Sequence, residues 1–166
     1  MTIKVGDKIP SVLLKHLVAK EMQDIGTDSV FKGKNVVLFA VPGAFTPTCS
    51  LKHLPSYVRA LAEFTARGIG VVCLAVNDPF VVQAWAEANK ADGITFLPDG
   101  NATFTKALGL EMDGSAYGMG PRAQRFSLYA EDGVVKTLSV EKSGAFDVSS
   151  AEAMLTTIGH LKTAAA

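Results

Sequence analysis

The sequence predicts one α/β domain with a mixed central sheet and helices on both of its faces. Three observations predict it. Residues 36–41, Val-Val-Leu-Phe-Ala-Val, and 71–76, Val-Val-Cys-Leu-Ala-Val, are short unbroken apolar runs, which suit strands buried on both faces. Between them Leu51, Leu54, Val58, Leu61, Ala62 and Phe64 recur at helical spacing and stop before Gly68. Farther on, Arg125–Ala130 and Val134–Val140 flank Glu131-Asp132-Gly133, and Asp-Gly between two such runs marks a hairpin.

The elements follow in order. Residues 11–18 and 28–31 are expected to form an N-terminal β-hairpin extension. Strand, helix and strand from residue 36 to 76 make a βαβ unit, hence a parallel pair. Pro55 lies inside its helix and should kink it. Asp78-Pro79 starts the next helix, with Asp as cap and Pro in the first turn, and Val81, Val82, Trp85 and Ala88 supply its apolar face. Ile94–Leu97 reads as a strand, Asn101–Leu108 as a short helix, and Ser149 or Ser150 caps a last helix through Leu161. The sum, βαβ then ββα, is a thioredoxin-like architecture covering residues 1–166 as a single domain.

Composition narrows the function. The chain has 166 residues, 48% hydrophobic and 19% charged, which is globular and not disordered. Sixteen basic and 16 acidic residues balance, so nothing favours nucleic acid or an anionic membrane as partner. No apolar run is long enough to span a bilayer, and the first residues lack a secretion signal, so the expected location is the cytoplasm. Two cysteines, Cys49 and Cys73, are too few for a disulfide framework, and no Cys/His spacing suggests zinc.

The informative stretch is Pro42-Gly43-Ala44-Phe45-Thr46-Pro47-Thr48-Cys49-Ser50. It follows the first buried strand and opens the long helix, at the carboxyl end of the sheet, where α/β sites collect. Cys49 therefore falls in the first helical turn. Unpaired N–H groups and the helix dipole there favour thiolate, the nucleophilic form. Thr46 is placed to cap the turn and to exchange hydrogen bonds with the sulfur or an oxygen beside it. Pro42 and Pro47 restrict the loop, and Pro42 can shield the sulfur from water. A second charge-stabilising group is needed. Arg125, at the start of a neighbouring strand, is the candidate, because arginine stays ionised and offers a fork of donors. His53, one turn beyond Cys49, is either a partner of the site or a helix-surface residue.

Pro42-x-x-x-Thr46-x-x-Cys49 resembles the peroxiredoxin signature. The longer string through Ser50, then His53-Leu54-Pro55, Val76-Asn77-Asp78-Pro79-Phe80 and Gln124-Arg125-Phe126-Ser127, is similar to the peroxiredoxin-5 (type II) subfamily. The resemblance implies a thiol-dependent reductase of hydrogen peroxide and alkyl hydroperoxides, with no metal and no cofactor. By position, Cys49 resembles the attacking cysteine, Thr46 the hydroxyl that aligns the peroxide, and Arg125 the arginine on sulfur and peroxide oxygen. Gly43 and Phe45 resemble further residues lining the peroxide site. A homodimer is implied, with Phe45, Phe80 and Met119 as exposed apolar candidates for its contact.

The resolving thiol is where the sequence departs. Where some subfamily members carry a resolving cysteine before the last helix, this chain has Ser149. Plant-like type II members have a cysteine aligned with Cys73, which reads either as a resolving thiol or as a core residue. The core reading is preferred, because a mid-strand thiol is hard to bring within disulfide range. The reductant is then external: glutathione with glutaredoxin, or a thioredoxin. A dithiol oxidoreductase on the same fold would need Cys-x-x-Cys, and position 52 is Lys52. A non-enzymatic peroxide-sensing module is the remaining alternative, separable by turnover.

Overall fold

The computed structural model describes residues 1–165, with side chains through Leu161. Its strands are β1 (Leu13–Val18), β2 (Glu21–Gly26), β3 (Asn35–Val41), β4 (Ile69–Ala75), β5 (Thr95–Pro98), β6 (Glu111–Asp113), β7 (Pro121–Ala123), β8 (Phe126–Glu131) and β9 (Val134–Val140). Its α-helices are α1 (Thr27–Phe31), α2 (Leu54–Ala66), α3 (Pro79–Ala88), α4 (Thr103–Leu108) and α5 (Ala151–Ala165). Five strands form the central sheet in the order β5-β4-β3-β8-β9. β3 pairs parallel with β4 and antiparallel with β8. This is the expected mixed, thioredoxin-like sheet.

Alternation along the strands divides the core. Val36, Leu38 and Ala40 of β3 join Val72, Leu74, Leu128, Phe104 and Leu108 on one face. Val37, Phe39 and Val41 join Cys73, Leu54, Tyr57, Phe64, Trp85, Met154 and Ile158 on the other. A strand buried on both faces cannot alternate polar with apolar, which is why the central runs are unbroken. Asp132 and Gly133 take φ of 49° and 75° and close the β8–β9 hairpin as a two-residue turn. Among the described residues no helix is long and apolar enough to cross a membrane.

Three local expectations need correction. The N-terminal hairpin exists, but its second strand is Glu21–Gly26; residues 28–31 lie in α1. Ala19 and Lys20, at φ of 49° and 69°, reverse the chain directly after β1, and neither residue type advertises such a turn. In the long helix Leu51 and Ala62 are exposed, while His53 and Tyr57 are buried. The cause is a π-helical turn over Cys49–His53, in which the Leu54 N–H reaches the Cys49 carbonyl and shifts the buried face. Pro55 follows directly, so the distortion expected of a proline takes the form of this wide turn. In α3, Val82 and Trp85 are buried but Ala88 is exposed. The last helix is capped by Ser150, whose Oγ accepts from the Ala153 N–H at 3.1 Å.

Candidate active site

Helical structure begins at Pro47, where a proline loses no bond, and the Ser50 N–H donates to the Thr46 carbonyl at 2.9 Å. Cys49 lies in that first turn and is fully buried. The loop before it is held from three sides. The Ala44 N–H donates to Asn77 Oδ1 at 2.9 Å, tying the loop to the segment after β4. Arg122 donates from Nη1 to the Pro42 carbonyl at 3.3 Å and from Nε to the Met119 carbonyl at 3.0 Å. Trp85 Nε1 donates to Ser50 Oγ at 2.9 Å, fixing the helix start from α3. A Cβ on Gly43 would come within 2.7 Å of Arg122 Nη1, so a side chain there would push the guanidinium from its place. Phe45 takes φ of 64° and leaves its ring exposed beside the site. For a bulky residue that backbone is strained, and such strain clusters at functional sites.

Thr46 does not cap the turn with its side chain. Its Oγ1 donates to the Gly43 carbonyl at 2.7 Å. The hydroxyl proton is thereby committed, and the oxygen remains an acceptor for a further donor.

Arg125 precedes β8, and its backbone carbonyl accepts from the Glu141 N–H at 2.9 Å. Its guanidinium bridges two groups. Nη2 donates to Cys49 Sγ at 3.1 Å, and Nη1 lies 2.9 Å from His53 Nδ1. His53 is fully buried, with ring centroids 5.0 Å from Phe39, 5.7 Å from Tyr57 and 5.1 Å from Phe146. Its Nε2 lies 3.0 Å from the Ser149 carbonyl. A carbonyl can only accept, so Nε2 carries the proton and Nδ1 accepts from Arg125. Burial first, and then the Arg125 charge, push the His53 pKa down to about 3, against the lesser opposing pull of the Ser149 carbonyl and Glu141. His53 is therefore neutral and orients Arg125 without adding charge. Of its two sequence readings, the structure selects partner of the site.

Ser149 also belongs to this network. Ser149 is fully buried, and its N–H and Oγ donate to Glu141 Oε2 at 2.9 and 2.7 Å. Its carbonyl also accepts from Tyr57 Oη at 2.9 Å.

Cys73 is fully buried at the middle of β4, in register with Phe39 on one side and Phe96 on the other. Burial, and secondarily the Cys49 charge, hold its thiol well above the ordinary value, with Arg125 offsetting part. Both cysteines are free thiols on the same face of the sheet. Of the apolar residues expected at an exposed edge, Phe45 and Phe80 are exposed and Met119 is half-buried. Arg122, Asn77, Glu141 and Trp85 complete the surroundings. Only the Val76–Phe80 string hinted at Asn77, and nothing in the sequence marked Glu141.

Residues 4–155 match the family described as Redoxin. Peroxiredoxin-2E-2, chloroplastic, from Oryza sativa subsp. japonica is 47% identical over 162 residues, covering 93% of this chain and 72% of that protein. Peroxiredoxin-2B from Arabidopsis thaliana is 40% identical over 156 residues, covering 92% and 96%. Among solved structures, reduced Prx3 in complex with hydrogen peroxide from Vibrio vulnificus is similar, with a TM-score of 0.90 and 46% identity. That similarity covers 95% of this chain and 99% of the other.

Proposed function

Since the chain belongs to the peroxiredoxins, within the Redoxin family, we propose that its thiol-dependent peroxidase activity runs through Cys49, Thr46 and Arg125. The observation that carries the assignment is the 3.1 Å bond from Arg125 Nη2 to a sulfur buried in the first turn of a helix. The Cys49 thiolate attacks the terminal oxygen of a hydroperoxide in line with the O–O bond. The S–O bond forms as the O–O bond breaks, and the leaving oxygen takes a proton to become water or an alcohol. Arg125 donates where charge develops. Thr46, its own proton committed to Gly43, accepts from the peroxide and orients it. Gly43 and Phe45 line the approach, and Pro42 borders it. The Vibrio protein, whose structure holds hydrogen peroxide, lends support by similarity.

The product is a Cys49 sulfenic acid. We assign its reduction to an external thiol. That thiol attacks sulfur, releases water and leaves a mixed disulfide, which a second thiol cleaves to restore Cys49. Glutathione with glutaredoxin, or a thioredoxin, would serve in the cytoplasm, the compartment we propose. Burial of Cys73 in β4 supports this route, because the attacking form of a resolving thiol is the thiolate and burial disfavours it. A homodimer joined through the Phe45 and Phe80 edges is our reading of the exposed rings there, and sedimentation of the reduced protein tests it.

Peroxide consumption with each reductant tests the function. Wild type is expected to turn over and Cys49→Ser to be inactive, since a serine alkoxide is not available at neutral pH. A Cys49→Ser protein that still consumed peroxide would refute the assignment.

A further inference from the structure

Glu141 holds Arg125 at both ends. At the backbone end, its N–H donates to the Arg125 carbonyl at 2.9 Å. At the other end, its carboxylate organises the segment that orients the guanidinium. Oε2 alone accepts from the Asp147 N–H at 2.6 Å, the Ser149 N–H at 2.9 Å and Ser149 Oγ at 2.7 Å. Those bonds fold residues 142–150 around one buried oxygen and fix the Ser149 carbonyl. That carbonyl sets the His53 tautomer, His53 Nδ1 receives Arg125 Nη1, and Arg125 Nη2 meets Cys49 Sγ. Phe146, carried by the same segment, covers the His53 ring.

From this juxtaposition, and resting on the peroxidase reading above, we propose that Glu141 is a positioning residue for the peroxide step, acting on Arg125 through Ser149 and His53. Among the described residues Glu141 forms no ion pair. A buried carboxylate without a cation is costly unless donors converge on it, and here they do. The Ser149 hydroxyl and the N–H groups of residues 147–149 outweigh its burial and hold its pKa below the ordinary glutamate value. The charge is thus spent on loop geometry. A hydrophobic anchor could close the same segment but could not gather three donors at one point.

A structural clamp and a positioning residue differ in selectivity. Alignment of a guanidinium matters when charge moves onto a leaving peroxide oxygen. It matters less when the same sulfur is alkylated, provided both reactions are read at their alkaline plateaus. Oxidation of Cys49 by hydrogen peroxide and alkylation by iodoacetamide should therefore be compared in wild type, Glu141→Ala, Glu141→Asp and Glu141→Gln. Glu141→Ala is expected to lose about tenfold or more with peroxide and less than about threefold with iodoacetamide, because misplacing a reacting group costs rate steeply. Glu141→Asp keeps the charge but falls short of the Ser149 donors, and is expected to show the same selective loss if Glu141→Ala does not fold. Glu141→Gln, with an amide oxygen in place of Oε2, is expected to recover to within about threefold of wild type. Wild-type peroxide rates in both Glu141→Ala and Glu141→Asp, or peroxide and alkylation rates falling in parallel, would overturn the proposal. Failure of wild-type Cys49 to react with peroxide would instead overturn the peroxidase reading itself.

Discussion

A neutral, buried His53 makes the stability of this protein depend on pH in a calculable way. Unfolded, the imidazole titrates at its ordinary value of 6.5; folded, it titrates at about 3. Below 6.5 the unfolded chain takes up a proton that the native state refuses. Stability is therefore complete above 6.5 and falls as pH drops toward 3. Between pH 7 and 5 the integrated loss from this one group is about 2 kcal/mol. Such a loss moves a urea midpoint by roughly 1 M for a domain of this size. The perturbation is His53→Gln, which keeps an amide able to meet Ser149 and Arg125 but cannot titrate. Wild type and variant are unfolded in urea at pH 7 and pH 5, and the difference of differences is taken. Every group common to the two proteins cancels. Wild type is expected to lose about 2 kcal/mol more than the variant over that interval. Equal losses would show that His53 carries its proton in the folded state, and the tautomer assigned from the Ser149 carbonyl would then be wrong.

Three further outcomes are expected. Arg125→Lys should lower the second-order rate of Cys49 with hydrogen peroxide by about a hundredfold, because one ammonium cannot bridge Sγ and Nδ1 as the guanidinium fork does; stopped-flow oxidation checks it. Cys73→Ser should retain turnover with glutathione and glutaredoxin to within about threefold, since opening β4 sacrifices core contacts. A stoichiometric Cys49–Cys73 disulfide in the mass of peroxide-treated, thiol-blocked protein would contradict it. Trp85→Phe removes the bond to Ser50 Oγ and should cost about 1 kcal/mol in urea unfolding.

The sheet was legible because its signals are local and redundant. Unbroken apolar runs for β3 and β4 and Asp132-Gly133 between β8 and β9 each encode their element without help from distant residues. The β1–β2 hairpin was misread because Ala19 and Lys20 turn the chain without turn chemistry, so nothing local separated residues 21–26 from their neighbours. The helix face was misread because a π turn breaks the 3.6-residue period on which the reading rests. Within the site, Cys49 and Thr46 lie in one contiguous string. Arg125 was reached only as a strand-start residue and by resemblance. Asn77, Arg122 and Glu141 lie 28, 73 and 92 positions from Cys49 and act through the pairing of strands, which no spacing rule encodes.

The choice of histidine against Arg125 has a consequence of its own. A carboxylate at position 53 would bind the guanidinium more strongly and orient it as well. It would also neutralise the positive charge that Arg125 directs at sulfur. A neutral Nδ1 supplies orientation while leaving that charge for the thiolate and the departing oxygen. Burial within its aromatic enclosure, and then the Arg125 charge, keep the imidazole neutral, while a carbonyl on Nε2 fixes its tautomer. The carbonyl belongs to Ser149, whose other groups are held by Glu141. The Glu141 carboxylate is thus engaged by the donors of its own loop and forms no ion pair with Arg125. At position 149 the hydroxyl and the N–H turn toward Glu141, and the carbonyl alone serves His53.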